Sequence, residues 1–433
     1  MSTETMDNAG VPEQGVSRRA FLASAAGAAG AMTLGGSAAL AAGGSGSGLS
    51  SVQHVVVVMM ENRSFDHFLG WLPGANGRQA GLTYRDRLGV AHATHSLAPD
   101  YQGCGHPDPD HSYEGGRVEF NNGACDGWLR ASTNDPYSIG YYRRPDLAFL
   151  GQAVPQWTTF SRYFAAIMAE TYPNRIYQHA GQTDRIHNST TVSTLPTIWD
   201  RLAAANVSGR YYFSDVPFLA VWGSKYIPIS RPVSQFYLDC AAGTLPSVSY
   251  IDPRFVDEGT GTSGDDHPHA DIRNGETFMA GLYRAVTTSP NWSNTVLIFN
   301  FDEWGGFYDH VAPPTAAIPP SDQAAGNKDG RVGFRVPCLV VSPFARRGFI
   351  GGRTYDHTSI LRMIEQRWSL APLSVRDRAA NSLAEVLNFS SPNLHAPQYN
   401  VPSGPFGAPC GTPSPGENWS ALLTQARLAG WPV

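Results

Sequence analysis

The sequence predicts an α/β fold in which a mostly parallel central sheet lies between helices. Runs of β-branched and large apolar residues, each as long as a buried strand, alternate with segments of helical period. Several of these runs end in carboxylates or amides, and open α/β sheets bind their ligands at the carboxyl ends of the strands. The chain contains 45 glycines and 32 prolines, which predict many loops over those strand ends.

The composition is that of a globular protein with a large core. The chain has 433 residues, of which 42% are hydrophobic and 15% are charged, and this length allows one large α/β domain. The net charge is −5 and no basic run occurs, so nothing in the sequence supports a nucleic-acid partner. No apolar stretch has the length and strength of a transmembrane helix, and we expect no stable membrane anchor.

The first 41 residues have the pattern of an export signal. Arg18 and Arg19 precede an Ala/Gly-rich, weakly apolar segment, and Ala39-Leu40-Ala41 offers a small-x-small cleavage site. The pattern resembles a bacterial twin-arginine signal peptide, and the alternative is a disordered tail with an accidental arginine pair. The resemblance implies a secreted or periplasmic protein that uses the twin-arginine (Tat) translocon. We therefore predict a signal peptide over 1–41, a flexible joint over 42–51 and a single catalytic domain over 52–433.

The five cysteines permit disulfides in an exported protein but leave one unpaired. Cys104 and Cys125 are close in sequence and bracket a loop-like region, so we expect a disulfide between them. No Cys-x-x-Cys spacing occurs, which argues against a thiolate metal site.

The first strand of the predicted domain leads directly to polar residues. Residues 55–60 form an apolar run, and Glu61 and Asn62 follow it. Both side chains offer oxygen, which suits a hard divalent cation or Zn2+. The alternative is a polar strand end whose side chains are solvated.

Two loop segments add candidate chemistry. Residues 70–142 show little periodicity, and such a stretch inside a compact domain is usually functional. It includes His111 among several aspartates, which could bind a metal or a phosphate. The alternative is that this segment is a solvated acidic loop. Thr171 precedes Pro173, which predicts a turn with an exposed hydroxyl nucleophile. Asn174 and Arg175 then offer an amide and a guanidinium to a substrate anion. The alternative is that Thr171 caps the next helix.

The rest of the chain continues the alternation of helices and strands. Asp302 and Glu303 follow a predicted strand directly and are the clearest partners for Glu61. His267 lies in a second Gly/Asp-rich loop. We predict helices over 196–205, 272–287, from 356 and over 419–428, and strands over 209–213, 247–252, 295–301 and 336–342.

Together these motifs resemble the bacterial phosphoesterase family of phospholipases C and acid phosphatases, within the alkaline-phosphatase-like superfamily. The resemblance spans about residues 51 to 391, and it implies an alkaline-phosphatase-like fold. The matching segments stand in the family's order at 61–66, 110–113, 171–175, 266–268 and 302–311, with a similar helix start at 356–359.

The resemblance also implies a metal site and a nucleophile. Thr171 is the implied nucleophile and a further ligand of the metal. The divalent ion is Ca2+, Mg2+, Mn2+ or Zn2+, since oxygen ligands do not choose among them. The other implied ligands are Glu61, Asn62, Asp302 and Glu303.

The resemblance gives histidines roles beside the metal. His111 and His267 would contact the phosphoryl oxygens or serve the leaving group, and His310 is a further candidate as a ligand or substrate contact. Trp304 departs from the pattern because family members often carry histidine there, which puts any role at that position in doubt. The chain also shows no sign of the extra C-terminal β-domains of larger phospholipases C, which argues against bilayer binding.

We therefore expect an exported, metal-dependent phosphoesterase of the phospholipase C type that cleaves phosphodiester bonds of phospholipid head groups. The alternative in the same class is an acid phosphatase acting on phosphomonoesters. A sulfatase is disfavoured because the chain has no Cys-x-Pro-x-Arg or Ser-x-Pro-x-Arg motif. From another class, a non-catalytic exported binding protein would have lost one of Glu61, Thr171, Asp302 or His267, and all four are present.

Overall fold

The computed structural model describes residues 46–411 and 417–433, so the predicted signal peptide lies outside the described residues. The central sheet is built from β1 (His54–Met60), β2 (Thr158–Phe160), β3 (Gly209–Phe213), β4 (Ser230–Pro232), β5 (Val248–Ile251), β6 (Thr295–Phe301), β7 (Cys338–Val341) and β8 (Ile350–Gly351). Their order across the sheet is β8-β2-β7-β6-β1-β5-β3-β4.

The strand β1 lies inside the sheet, and its residues 55–60 are fully buried. It pairs in parallel with β6 on one side, where His54 lies opposite Thr295 and Met60 opposite Phe301, and with β5 on the other. A strand covered on both faces requires the continuous apolar sequence seen here. The mostly parallel α/β fold class predicted from the sequence is confirmed.

The strand β7 is the exception to the parallel arrangement. It pairs antiparallel with both β6 and β2, and it covers Cys338–Val341 rather than the predicted 336–342. Three small ladders lie outside the main sheet: Thr83–Arg85 with Ala91–Ala93, His95–Ser96 with Gly140–Tyr141, and Tyr163–Phe164 with Tyr355–Asp356.

Each of the four helices predicted from the sequence is present, the first over Ile198–Ala204 rather than 196–205. The segments predicted at 272–287 and 419–428 match the structure at both ends, and the side chain of Asp356 caps the helix that follows it. The helices are α1 (Gly46–Leu49), α2 (Phe65–Leu69), α3 (Tyr113–Phe120), α4 (Leu150–Ala153), α5 (Thr171–Ala180), α6 (Ile198–Ala204), α7 (Val233–Ala242), α8 (Ile272–Thr287), α9 (Pro320–Ala325), α10 (His357–Trp368), α11 (Val375–Ala379) and α12 (Trp419–Leu428).

Short 3-10 helices join these elements, and the described residues form one compact unit. The 3-10 helices are Asn121–Gly123, Pro136–Ile139, Arg144–Asp146, Phe218–Trp222, Ile227–Ile229, Glu258–Thr260, Trp292–Asn294 and Leu383–Val386.

The predicted turn at Thr171 is wrong. Thr171 is the first residue of α5, and Glu170 is its N-cap. Pro173 lies in the first helical turn, where backbone N–H groups have no intrahelical partner, so its missing N–H costs nothing. Tyr172 is therefore helical and not extended.

The predicted disulfide between Cys104 and Cys125 is also wrong. Cys104 is bonded to Cys410, which lies 306 residues away in the sequence, while Cys125 is a free, buried thiol. Proximity along the chain was a poor guide because the C-terminal tail folds back over the loop that carries Cys104.

Candidate active site

The carboxyl ends of the neighbouring parallel strands β1 and β6 bring together the two acidic motifs. The backbone N–H of Asn62 donates to Oδ1 of Asp302 over 3.0 Å, and the N–H of Glu303 donates to the same oxygen over 2.7 Å. Asn62 has a φ of 58°, a left-handed conformation that asparagine tolerates better than most residues. Glu61, Asn62, Asp302 and Glu303 are fully buried.

Gly305 lets the second motif pass close to the first. Its φ is +63°, and a Cβ atom there would lie 2.1 Å from the carbonyl oxygen of Asn62. Its N–H donates to Oε2 of Glu303 over 2.7 Å. Only glycine fits this close approach, which fixes the direction of the Glu303 side chain.

Thr171 faces the same strand ends from the start of α5. Its Oγ1 donates to Oδ1 of Asn62 over 3.3 Å, and the Asn62 amide nitrogen lies 3.5 Å from Nε2 of His111. The N-terminus of a helix favours negative charge. The structure thus joins the predicted nucleophile, one predicted ligand and one predicted histidine in a single contact chain.

Arg175 lies one helical turn after Thr171 and contacts protein carboxylates. Its guanidinium nitrogens lie 3.1 Å from Glu61 Oε1, 3.0 Å from Asp252 Oδ1 and 3.3 Å from Asp302 Oδ2. The residue is 1% exposed. The geometry therefore does not place Arg175 as a ligand for a substrate anion, as predicted from the sequence, but as the internal counter-ion of the acidic site.

The geometry likewise gives Asn174 a local role in place of the predicted substrate contact. Its amide oxygen accepts from the backbone N–H of Ile167, and its amide nitrogen donates to the carbonyl oxygens of Ile167, Ala169 and Glu170. All of its polar atoms are engaged, so Asn174 fixes the loop that leads into α5.

His267 faces His111 across a buried carboxylate that the sequence analysis missed, Glu417. Oε1 of Glu417 lies 2.6 Å from Nε2 of His111 and 3.6 Å from Nε2 of His267. Arg63 holds the loop that carries His267, because its guanidinium donates to the carbonyl oxygens of Asp266 and His267.

Three further carboxylates join the site without having been predicted as ligands. Glu258 and Asp265 group with Glu61, with one oxygen of each within 4.8 Å of the others. Asp252 is bonded to Arg175 and to the hydroxyl of Tyr211. Asp252 ends a predicted strand, which was a usable signal, whereas Glu258 carries no periodic or motif signal.

His310 lies in a different cluster. Its Nδ1 is bonded to Oδ2 of Asp66, and its Nε2 lies 3.1 Å from Oδ1 of Asn76. Arg335 donates to Oδ1 of Asp66 over 3.1 Å and to both oxygens of Asp309. The structure thus places His310 in a buried ion-pair network that links the two acidic motifs, and not beside Thr171.

Trp304 points away from the acidic site. Its indole N–H donates to Oε2 of Glu119 over 2.7 Å, and its ring packs on Phe334 with the centroids 5.4 Å apart. At the position where histidine was expected, this chain has a packing residue that joins the strand end to α3.

Burial shapes the charges of the site. Burial raises the pKa of Glu61 well above its usual range; Arg175 opposes this shift, and Glu258 reinforces it. Burial likewise raises the pKa of Glu303, with His111 opposing. It also raises the pKa of Glu258 to about 7. Such clustered carboxylates ionise fully only beside added positive charge.

The pKa values of the two histidines are also raised, which for an imidazole favours the charged form. Burial opposes the charge on His111, but Glu303 and Glu417 outweigh it and raise the pKa of His111 well above its usual range. In the same way Glu258 and Asp108 outweigh burial and raise the pKa of His267 to about 10. Without a bound cation, both rings are therefore charged partners of the surrounding carboxylates.

The donor set fits a divalent cation. Buried oxygens without a hydrogen-bond partner include Oε2 of Glu61, Oε1 of Glu303 and Oδ2 of Asp302, and the last of these has only the ion pair with Arg175. Buried carboxylate oxygens are expensive unless paired or bound to metal. Carboxylate, amide and hydroxyl oxygens are the ligands of hard cations.

Comparisons with known proteins identify the family of the chain. The model of the phosphoesterase family matches residues 52–371. Non-specific phospholipase C6 of Arabidopsis thaliana is 30% identical over 388 residues, which cover 80% of this chain and 74% of that protein. Phospholipase C B of Mycobacterium tuberculosis is 30% identical over 483 residues, which cover 90% of both chains.

Solved structures are more distant. A murine ectonucleotide pyrophosphatase/phosphodiesterase 5 aligns with a TM-score of 0.42 and 10% identity, over 78% of this chain and 100% of that chain. Within the described residues, no helix combines the length and apolar character needed to cross a membrane. The predicted enzyme class, a hydrolase of phosphoester bonds, is confirmed by the family match. The chain belongs to the phosphoesterase family.

Proposed function

We propose that the protein is a phosphodiesterase of the phospholipase C type, which releases a phosphorylated head group from a phospholipid and uses Thr171 as its nucleophile. The placement of Thr171 supports this best: it begins α5, and its Oγ1 lies 3.3 Å from Asn62 beside buried carboxylates. The relatives named phospholipase C, from a plant and a bacterium, agree with a diester substrate.

A divalent cation is part of the proposal. Thr171 and the four residues at the strand ends would hold it, and once bound it would lower the pKa of the Thr171 hydroxyl and neutralise charge on the phosphoryl oxygens. Arg175 keeps the site assembled by pairing with Glu61 and Asp302. Asn62 and Glu303 complete the four strand-end residues that would hold the cation.

The protein's own residues carry out the bond changes. The Thr171 hydroxyl first releases its proton to water. Its Oγ1 then attacks the phosphorus atom in line, and the bond between phosphorus and the oxygen of the lipid alcohol breaks. His111, which contacts Asn62, or His267 beside it stabilises the phosphoryl oxygens or gives a proton to the departing alcohol. Water then hydrolyses the phosphoester of Thr171, which frees the phosphorylated head group and restores the hydroxyl.

Export by the twin-arginine pathway belongs to the same proposal. Arg18 and Arg19 supply the signal, and the disulfide between Cys104 and Cys410 suits an oxidising compartment. Replacing both arginines by lysine should leave the uncleaved precursor inside the cell. Cleavage and export of that variant at the wild-type rate would contradict this part.

Substrate choice is tested with p-nitrophenylphosphorylcholine and p-nitrophenyl phosphate, with and without a chelator. We expect turnover of the diester to be lost in Thr171→Val, which removes the hydroxyl at nearly constant volume, and partly kept in Thr171→Ser. Chelation should abolish turnover, and added metal should restore it. A preference for the monoester would favour an acid phosphatase, and full activity of Thr171→Val would refute the nucleophile.

A further inference from the structure

We infer that His111, His267 and Glu417 form a second divalent-cation site, with the donor set that Zn2+ prefers, next to the oxygen-rich site at the strand ends. One ligand atom from each residue lies within 4.8 Å of the others. The three residues are 7%, 0% and 6% exposed. Two imidazoles and one carboxylate are a common protein ligand set for zinc.

Both imidazole rings are oriented as metal ligands are. Nδ1 of His111 lies 2.8 Å from the carbonyl oxygen of Pro109, and Nδ1 of His267 lies 2.8 Å from the carbonyl oxygen of Pro268. A carbonyl only accepts, so each Nδ1 carries a hydrogen, and the lone pair of the neutral ring is on Nε2. Both Nε2 atoms point toward Glu417. Second hydrogen bonds of this kind hold most metal-binding histidines.

Buried atoms in this cluster lack a partner. Nε2 of His267 and Oε2 of Glu417 have no hydrogen-bond partner among the described residues. Oxygens of Glu417, Asp108 and Glu258 lie 3.6, 3.7 and 3.7 Å from that Nε2. Two tetrahedral Zn2+ ligands are about 3.4 Å apart at ordinary bond lengths. This spacing therefore suits a shared ion better than a direct hydrogen bond.

The contact between His111 and Glu417 is compatible with the same ion. Nε2 of His111 and Oε1 of Glu417 are 2.6 Å apart, the distance of a hydrogen bond. A cation could take the place of the proton between them if the two atoms moved apart by about 1 Å. Glu417 is held for this role, because its N–H donates to Oε2 of Glu258 over 2.7 Å. Trp419 begins α12 and donates to the other oxygen of Glu258.

A different cluster of the protein, made of Asp66, Asp309 and His310, already contains a cationic side chain. Asp66, Asp309 and His310 are also close enough to share an ion. The guanidinium of Arg335 already lies among them and pairs with both aspartates, so no further cation is required. The cluster of His111, His267 and Glu417 has no guanidinium in its ion pairs.

A cation here would extend the proposed function. With the ion bound, His111 and His267 would act on the phosphoryl oxygens through it, as in two-metal phosphoryl transfer, and would not serve as proton donors to the leaving group. This catalytic role rests on the proposed function, whereas the binding site itself rests only on its own geometry.

Metal content measures the site directly. The mature protein is stripped with a chelator, reloaded with Zn2+ and freed of loose metal by gel filtration before elemental analysis. We expect two equivalents in the wild type and one in Glu417→Gln or His267→Gln. His92→Gln is the matched control, because His92 pairs with Asp86 on a small hairpin and belongs to neither ion site, and it should keep two. Co2+ bound to imidazole should also give visible absorption that Glu417→Gln lacks.

Crystals of the wild type make the test independent of variant folding. Anomalous scattering at the zinc edge should give a peak between the two Nε2 atoms and Glu417. Equal metal content in the wild type and Glu417→Gln, or a peak only beside Glu61 and Asp302, overturns the inference. Metal content decides the binding site, while turnover of Thr171→Val decides the proposed function, so the two fail separately.

Discussion

Removing the Arg175 guanidinium should destabilise the protein in a way that depends on pH. Arg175→Met keeps much of the side-chain volume but leaves Glu61, Asp252 and Asp302 buried without their common cation. Arg175 also donates to the carbonyl oxygens of Met59 and Met60. The variant therefore removes a hydrogen-bond donor from two backbone carbonyl groups at the end of β1.

The size of the effect follows from this burial. Breaking a buried ion pair by removing one partner costs about 3–5 kcal/mol, because the remaining charge has no compensation. A folded unit of roughly 390 residues has an unfolding entropy near 0.8 kcal/mol/K, so the melting temperature should fall by roughly 4–6 °C. The exposed pair of Arg353 and Glu385 is the matched control, since Arg353→Met removes a contact worth about 0–1 kcal/mol.

The sign of the pH dependence follows from the carboxylates. Burial raises the pKa of Glu61, Asp252 and Asp302 in the folded state, and Arg175 opposes the shift at each. Without Arg175 the folded protein holds protons that the unfolded chain releases above about pH 4, so its stability falls as pH rises.

Calorimetry in a chelator at pH 5 and pH 8 measures this effect for the wild type and both arginine variants. The deficit of Arg175→Met should be larger at pH 8. An unchanged melting temperature, or a deficit equal at both pH values, would refute the role of Arg175 as counter-ion.

Three further predictions concern other parts of the molecule. The double variant Cys104→Ser/Cys410→Ser should lose about 2–4 kcal/mol of unfolding free energy in denaturant titrations, and an unchanged midpoint would contradict the disulfide. Trp304→Phe leaves Glu119 without its indole donor and should cost about 1–3 kcal/mol; wild-type stability would show that this bond is dispensable. Burial raises the pKa of Glu276 to about 7, so wild type should lose roughly 3 kcal/mol relative to Glu276→Gln between pH 4 and pH 8. A constant difference across that range would contradict the shift.

The sequence predicted those parts of the fold and site that local pattern encodes. The apolar run before Glu61 predicted a buried strand, and the similar run before Asp302 predicted another, and the structure has a strand at each. Since parallel strands end at the same edge, the meeting of the two motifs followed from the fold class. His111 and His267 were found because their motifs resemble a family, although nothing local placed them together.

The rest depended on long-range contacts without local signals. Glu417 lies in a Pro/Gly-rich tail, 306 residues after His111, and nothing in the sequence shows that the tail returns to the site. Arg175 was assigned to a substrate anion because a sequence does not show which carboxylates a guanidinium will meet. Pro173 was misjudged since a proline signals a break inside a helix but is accepted in its first turn.

The central claim is that Thr171 becomes covalently phosphorylated, and trapping that species tests it most directly. The enzyme is mixed with p-nitrophenylphosphorylcholine, quenched in acid within one turnover and digested for peptide mass spectrometry. We predict one phosphorylcholine group on the peptide that contains Thr171, no adduct in Thr171→Val, and turnover lowered by at least about 10³-fold in that variant. An adduct on another residue, or full turnover by Thr171→Val, would contradict the mechanism.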